Sequence, residues 1–258
     1  MPIWTWFGLK TGRASTSWPE GPGPDGQDGV LGMPRLTPDR CRDGCRECLS
    51  VCPTRALSHT DRGIGIDYGR CVVCQLCVET CPTQALAASH DWAFGVRARE
   101  DLRSPDIDAE PARGPLAYFG KSLHIRHVDA GSCNGCESDI EALANPFYNL
   151  HRLGIFFTPS PRFADLLLVT GPVTYAMREP LLQTYEAMPK PAFVLASGTC
   201  AVSGGTQGGG YACGHGLEGL LPVDLWLPGC PPNPAALIEA LLVLLDRRPQ
   251  RLRRRARD

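Results

Sequence analysis

The chain has 258 residues, 26 Lys and Arg against 27 Asp and Glu, and a formal net charge of -1. This length suits one large domain or two smaller ones with a sizeable core. The near-neutral balance excludes a bulk field that would draw nucleic acid or a strongly charged substrate. The compositional outlier is its 13 cysteines.

Residues 1–34 are rich in Gly, Pro and Ser ("SWPEGPGPDGQDG") and read as an extended arm. Within it Trp4, Trp6 and Phe7 either anchor the arm on a partner or membrane interface or pack on their own domain. The start lacks the basic, apolar and cleavable regions of a secretory signal and a twin-arginine pair. No apolar run reaches the roughly 18 residues of a membrane span, and the longest, "AALIEALLVLL", is broken by Glu239. The expected location is cytoplasmic, where thiols stay reduced, so the cysteines point to metal rather than to disulfides.

Residues 35–90 contain an internal repeat. "CRECLSVCPTRAL" and "CVVCQLCVETCPTQAL" superpose Cys45, Cys48 and Cys52 on Cys74, Cys77 and Cys81, and each Cys-Pro leads into a short helix-like piece. Between the halves, "GIGIDYGR" reads as a strand and turn. Cys71, Cys74, Cys77 and Cys81 form C-x2-C-x2-C-x3-C-P, the bacterial ferredoxin run, in which the fourth thiolate serves the other cluster. One four-iron cluster is therefore expected on Cys41, Cys45, Cys48 and Cys81, and a second on Cys52, Cys71, Cys74 and Cys77. Zinc is the competing metal, but it favours separated C-x-x-C pairs and has no use for three evenly spaced thiols. One departure stands out: "CRDGC" puts an extra residue between Cys41 and Cys45, which Gly44 lets loop out.

Residues 91–116, charged and Pro-containing, suit a linker. From 117 to 247 the pattern alternates. "LHIRHV", "ADLLLVTG", "AFVLASG" and "DLWLPG" read as strands, while "REPLLQTYEAM" and "NPAALIEALLVLLDRR" read as helices. Strands apolar enough to be buried on both faces imply a parallel, doubly wound, flavodoxin-like α/β sheet. The last residues, 248–258, form an Arg-rich tail; seven arginines lie between Arg247 and Arg257. They read either as a solvated tail or as a docking patch for anionic lipid or an acidic partner.

Five cysteines fall in the α/β half. Cys133 and Cys136, Cys200, and Cys230 each follow a predicted strand, and loops after parallel strands converge on one crevice. Four thiols from three loops could gather there, with the glycines at 131, 135, 198 and 229 allowing close backbone approach. Cys213, in "GGGYACGHG", has no strand leading into it and reads as a free loop thiol; His215 reads as a loop histidine. A thioredoxin-like dithiol at Cys133/Cys136 is the alternative, but it leaves Cys200 and Cys230 unexplained.

"DAGSCNGCE", "SPRFADLLLVTGPVT", "ASGTCAVSGG" and "VDLWLPGCPP" together resemble the small, cluster-bearing subunit of membrane-bound nickel–iron hydrogenases of the formate hydrogenlyase and hydrogenase-4 type. That family is related to the cluster-N2 (20 kDa) subunit of complex I. The resemblance runs from about 121 to 247, and the repeat resembles the two-cluster ferredoxin-like subunit of the same complexes, so the chain looks like a fusion. It implies a third, proximal 4Fe-4S cluster on Cys133, Cys136, Cys200 and Cys230, three clusters in all, and no catalytic residue in this chain. The spacing Cys133-Asn-Gly-Cys136 is the hydrogenase-side form; complex I relatives carry adjacent cysteines there. The implied activity is electron transfer to or from a nickel–iron large subunit, with a complex I-like module delivering electrons to quinone as the alternative. Implied partners are that large subunit (or a complex I 49 kDa-like one), other electron-transfer subunits and integral-membrane subunits, on the cytoplasmic face of the inner membrane. Glu137 and Glu141 either tune the cluster, assist proton movement near it, or are simply acids suited to a helix's first turn. Arg162 either donates hydrogen bonds near the cluster or forms a surface salt bridge; none of the three is a ligand.

Overall fold

A computed structural model of the chain describes residues 2–11, 18–19, 29–42, 44–60, 63–104, 119 and 122–250. It opens with helix α1 (Ile3–Thr11) where the composition suggests an extended arm. The Gly/Pro density begins only after this segment, and Pro2 starts it, its carbonyl accepting from the Thr5 and Trp6 amides. Ile3, Trp4, Trp6, Phe7 and Leu9 are all exposed. The rest of the expected arm, to Gln27 and Asp28, lies outside the described residues apart from Trp18 and Pro19.

The ferredoxin-like half carries the repeat into three dimensions. Strand β1 (Arg35–Leu36) pairs antiparallel with β4 (Leu86–Ala87), closing the first element of the half onto its last. Helices α2 (Glu47–Val51) and α3 (Leu76–Thr80) occupy equivalent places, each ending at a Cys-Pro. Strands β2 (Leu57–Thr60), β3 (Gly63–Asp67) and β5 (Arg103–Ser104) form an antiparallel sheet in the order β2-β3-β5. Gly44 takes the left-handed backbone (φ 74°) that the extra residue calls for, and Val73, its counterpart in the second repeat, does the same (φ 59°).

Residues 91–104 pack rather than span freely. Trp92, Ala93, Phe94, Val96 and Leu102 are buried. Val96 exchanges two backbone hydrogen bonds with Trp226, at 2.9 and 2.7 Å, and so covers the open edge of the neighbouring sheet. Gly95 crosses a helix so closely that a Cβ there would lie 2.9 Å from the Ala240 methyl. The charges of "VRAREDLR" mask the short apolar run "WAF" that does this packing. Residues 105–116 of the expected linker lie outside the described residues.

The α/β half is one five-stranded sheet, all parallel, in the order β10-β9-β8-β6-β7. Its elements run β6 (Leu123–Asp129), α4 (Gly135–Ala142), β7 (Ile155–Phe157), β8 (Leu166–Thr170), α5 (Tyr175–Glu186), β9 (Phe193–Ser197), α6 (Thr199–Ser203), β10 (Leu225–Leu227) and α7 (Pro234–Leu244). Numbered within the half, this is the flavodoxin order 2-1-3-4-5, with the switch point between β6 and β8. Every residue of β8 and β9 is buried, as central strands covered on both faces require. Edge strand β7 has no counterpart in the sequence reading: it is three residues long and leaves Phe156 and Phe157 over a third exposed.

The two halves share one apolar core in which Ile66, Tyr68 and Phe94 join Val128, Val169 and Ala201. From Leu31 onward the chain is accordingly one unit, separate from Met1–Val30. Among the described residues no helix is long and apolar enough to cross a membrane.

All of α7 is buried, including Glu239. Its carboxylate accepts from the Arg248 guanidinium, while Arg247 donates to the Leu153 carbonyl at 2.7 Å, so the tail's first arginines are tied to the core. The arginines beyond Gln250 lie outside the described residues. Replacing Arg248 by Ala leaves a buried carboxylate without this partner and is expected to cost about 2 kcal/mol, less than a fully buried pair because Arg248 is partly exposed. Thermal unfolding should show a Tm lower by several degrees, with Glu239→Gln in the same background recovering part of the loss.

Candidate metal centres

Two groups of four thiols form in the ferredoxin-like half. Cys41, Cys45, Cys48 and Cys81 line one small cavity with Leu36, Ile64 and Leu86. Cys52, Cys71, Cys74 and Cys77 line a second with Pro34, Leu57 and Ile66. Each group takes three thiols from one repeat and its fourth from the Cys-Pro of the other. The crossing follows from the repeat itself, since each Cys-Pro ends its helix and sends the chain away from its own group.

The surroundings of the two Cys-Pro sulfurs repeat as well. The Cys52 sulfur accepts from the Ala56 amide at 3.2 Å and lies 3.7 Å from the Thr54 hydroxyl. The Cys81 sulfur lies 3.9 Å from the Thr83 hydroxyl. Burial alone would raise the Cys81 pKa, but donors from Leu86, Thr83 and Ala85 outweigh it and hold the thiol below its ordinary value. Arg55 and Gln84, both at φ 53°, turn the chain so that these amides face the sulfur. Hydrogen bonds to cluster sulfurs favour the more negative, reduced state. Thr54→Val and Thr83→Val should therefore each lower one midpoint potential by tens of millivolts, about 1 kcal/mol per lost bond. Redox titration followed by electron paramagnetic resonance reads this out, one signal per variant.

The third group lies at the carboxyl ends of the parallel strands. Cys133 and Cys136 follow β6, with Cys136 on the first turn of α4; Cys200 is the second residue of α6, after β9; Cys230 follows β10. The three loops touch. A Cβ on Gly198 would lie 2.7 Å from the Cys136 sulfur and 3.7 Å from the Gly229 carbonyl, and one on Gly135 would lie 3.6 Å from the Cys133 sulfur and 3.9 Å from Pro231. Cys133 and Cys230 are exposed, so this group opens onto the surface.

Several of these thiols are raised above their ordinary values by burial. Burial pushes Cys71 up to about 12, against the pull of the Val73 amide and helped by neighbouring thiols. Burial, then the charges of the other cysteines, takes Cys77 and Cys200 up to about 11. Cys136 is raised further, by burial and then Glu137. Four thiolates in so little space require positive charge to offset them, and the lining of the second cavity contains no cation. Iron would supply that charge, and sulfur-only donors beside apolar walls and backbone amides fit an iron–sulfur cluster.

Other predicted residues separate cleanly. Cys213 is buried and its thiol donates to the Gln207 carbonyl at 2.9 Å, although it lies near enough to Cys200 to raise that thiol's pKa. Arg162 is exposed and makes no ion pair or hydrogen bond among the described residues. Glu141 is exposed, whereas Glu137 is the hub of a network. It accepts from Ser132 and from the Thr170 hydroxyl, which lies 2.9 Å from His127 Nε2. Because Thr170 donates to Glu137, its lone pair is left for His127, which assigns the ring proton to Nε2. Burial holds the His127 pKa below its ordinary value, which favours this neutral form.

Thr199 was not singled out by the sequence. Its hydroxyl donates to the Cys71 carbonyl at 2.8 Å and accepts from the Gly229 amide at 3.1 Å. One side chain thus joins the second thiol group to the loop that carries Cys230, while its neighbour Cys200 belongs to the third.

A ferredoxin-like repeat with crossed thiol groups, packed as one body on a flavodoxin-like sheet with thiols at its strand ends, defines an iron–sulfur electron-transfer protein. Residues 133–244 match the family model "NADH ubiquinone oxidoreductase, 20 Kd subunit", and residues 40–85 match "4Fe-4S dicluster domain". The chain belongs to that 20 kDa subunit family, with a dicluster domain joined to it, and is a subunit of the oxidoreductase-complex type. It is 39% identical over 130 residues to the probable membrane-bound hydrogenase subunit mbhJ of Pyrococcus furiosus, covering 50% of this chain and 78% of that one. It is 41% identical over 140 residues to formate hydrogenlyase subunit 7 of Escherichia coli, covering 54% of this chain and 55% of that one. A solved chain of the membrane-bound sulfane sulfur reductase, an archaeal respiratory membrane complex, is 37% identical with a TM-score of 0.44 over 49% of this chain and 70% of that one.

Proposed function

We propose that the chain relays electrons through three 4Fe-4S clusters to or from a nickel–iron large subunit of a membrane-bound hydrogenase. The ligand sets are Cys41, Cys45, Cys48 and Cys81; Cys52, Cys71, Cys74 and Cys77; and Cys133, Cys136, Cys200 and Cys230. Bound clusters supply one-electron centres; the chain's own residues fix their spacing, exclude water and donate amide and hydroxyl hydrogen bonds. The observation that carries this reading is the Thr199 bridge, which ties the second group to the third within one packed body. The exposed Cys133 and Cys230 give the outlet, facing a partner that holds the nickel; Tyr175, 57% exposed, follows Thr174, which packs on Gly131 of the same loop. The Cys133-Asn-Gly-Cys136 spacing and the two hydrogenase relatives support hydrogen over quinone as the terminal chemistry. Association with the membrane is peripheral, through integral-membrane partner subunits.

The test uses the complex purified with its partners. Hydrogen should reduce the clusters of this chain when nickel is present in the large subunit; a nickel-free complex that reduces quinone instead would contradict the reading. Thr199→Val should retain all iron while slowing hydrogen-dependent dye reduction several-fold, since losing two hydrogen bonds, about 1 kcal/mol each, loosens the junction. Thr199→Ser, which keeps the hydroxyl, should restore the rate.

A further inference from the structure

The ferredoxin-like half and the α/β half line an open polar groove, which shares Ala56 and Ile66 with the wall of the second thiol cavity and which the electron-transfer reading does not use. Four arginines line it, Arg55, Arg70, Arg99 and Arg103, against the carboxylates of Asp67 and Glu218. Three of the four converge on Asp67. Arg99, 5% exposed, grips both carboxylate oxygens at 2.9 Å. Its guanidinium fills the space over Gly69, where a Cβ would come within 2.5 Å of it. Its Nε is buried with no hydrogen-bond partner among the described residues.

Asp67 accepts from Arg99 at both oxygens and from the Gly69 amide at Oδ1, which leaves a single lone pair on Oδ2 for two further guanidinium groups. The Nε atoms of Arg70 and Arg103 each stand 3.9 Å from the same Oδ2, within ion-pair range but beyond hydrogen-bond range. Their side chains are 47% and 59% exposed, and neither makes a hydrogen bond among the described residues. Arg55, one step past Thr54, adds another guanidinium on the wall, and the Ser58 and Ser104 hydroxyls add donors. Around one carboxylate the protein has thus assembled solvent-facing planar donors with no hydrogen-bond partner among the described residues, and an excess of positive charge. A buried arginine holds that carboxylate in place.

We propose that this groove binds a phosphate dianion. Two charges match the excess that Arg70 and Arg103 leave around Asp67. Guanidinium forks with neighbouring hydroxyls are the donors that tetrahedral oxyanions accept from most strongly. The dianion reaches the groove either as a free phosphate ester or as a phosphate-monoester lipid headgroup.

The test is calorimetric titration of the cluster-loaded protein with inorganic phosphate. Wild type should bind one phosphate saturably, Arg70→Gln with Arg103→Gln should weaken binding at least tenfold, and Arg178→Gln, on the exposed face of α5, should leave it unchanged. Should the double variant fail to fold, as judged by circular dichroism and iron content, Arg103→Gln alone should still weaken binding at least threefold. Pelleting of the protein with phosphatidic acid vesicles, reversed by phosphate, identifies a lipid source; phosphate binding without pelleting identifies a free ester. No saturable phosphate binding by wild type, or an equal loss in Arg178→Gln, would overturn the proposal.

Discussion

Replacing Cys230 by Ser is expected to remove one of three cluster signals and leave the ferredoxin-like pair intact. The reason is spatial separation. Cys230 stands on the loop after β10, beside Cys136 and Cys200, whereas the other two groups draw all eight thiols from residues 41–81. Iron should fall from about twelve to about eight per chain, and electrons delivered to the dicluster half should no longer reach the partner. Cys213→Ser provides the control. Its thiol is committed to the Gln207 carbonyl, so all three signals should persist. Survival of the third signal in Cys230→Ser, or its loss in Cys213→Ser, would show that the fourth ligand has been misassigned.

Gly198→Ala is expected to have nearly as large an effect without touching a ligand. Gly198 sits at φ 90°, ψ 150°, between β9 and α6, a conformation that L residues rarely adopt. The added methyl would also lie 2.7 Å from the Cys136 sulfur. Strain of about 1–3 kcal/mol adds to a clash with a thiol that has to hold its place. The backbone can relieve it only by moving Thr199 and Cys200, which carry the bridge and a ligand. Loss or broadening of the third signal, with the other two unchanged, is the expected spectrum. A variant with three wild-type signals and wild-type melting would mean that the strand-end loops have room the structure does not show.

How much of this was legible in the sequence depended on how local each feature is. The crossed thiol groups follow from spacing within about 15 residues, because helix geometry and a following proline fix where each sulfur points. Even the repeat's irregularity could be read, since Gly44 does adopt a left-handed turn; that Val73 adopts one too could not be, because nothing in a valine announces it. The parallel sheet was visible in β8 and β9, apolar but for their last residues, Thr170 and Ser197. Strand β7 was not, being too short to show a period and too exposed to show a core. Residues 91–104 read as a linker because their charges outnumber the few buried aromatics, and only the pairing of Val96 with Trp226 reveals their place. Two polar features at the third group were missed for one reason. Thr199 and the Glu137–Thr170–His127 network join residues far apart in the chain, 128 positions in the case of Thr199 and Cys71. No spacing rule reaches that far. Glu137 read most simply as an acid in a helix's first turn, which it is, and its buried partners came only with the fold.

The reading of three clusters stands most directly on metal content. Anaerobically purified protein should contain about twelve iron atoms and an equal amount of acid-labile sulfide per chain, with no stoichiometric zinc. About eight irons with all thirteen cysteines intact, or zinc in place of iron, would contradict it.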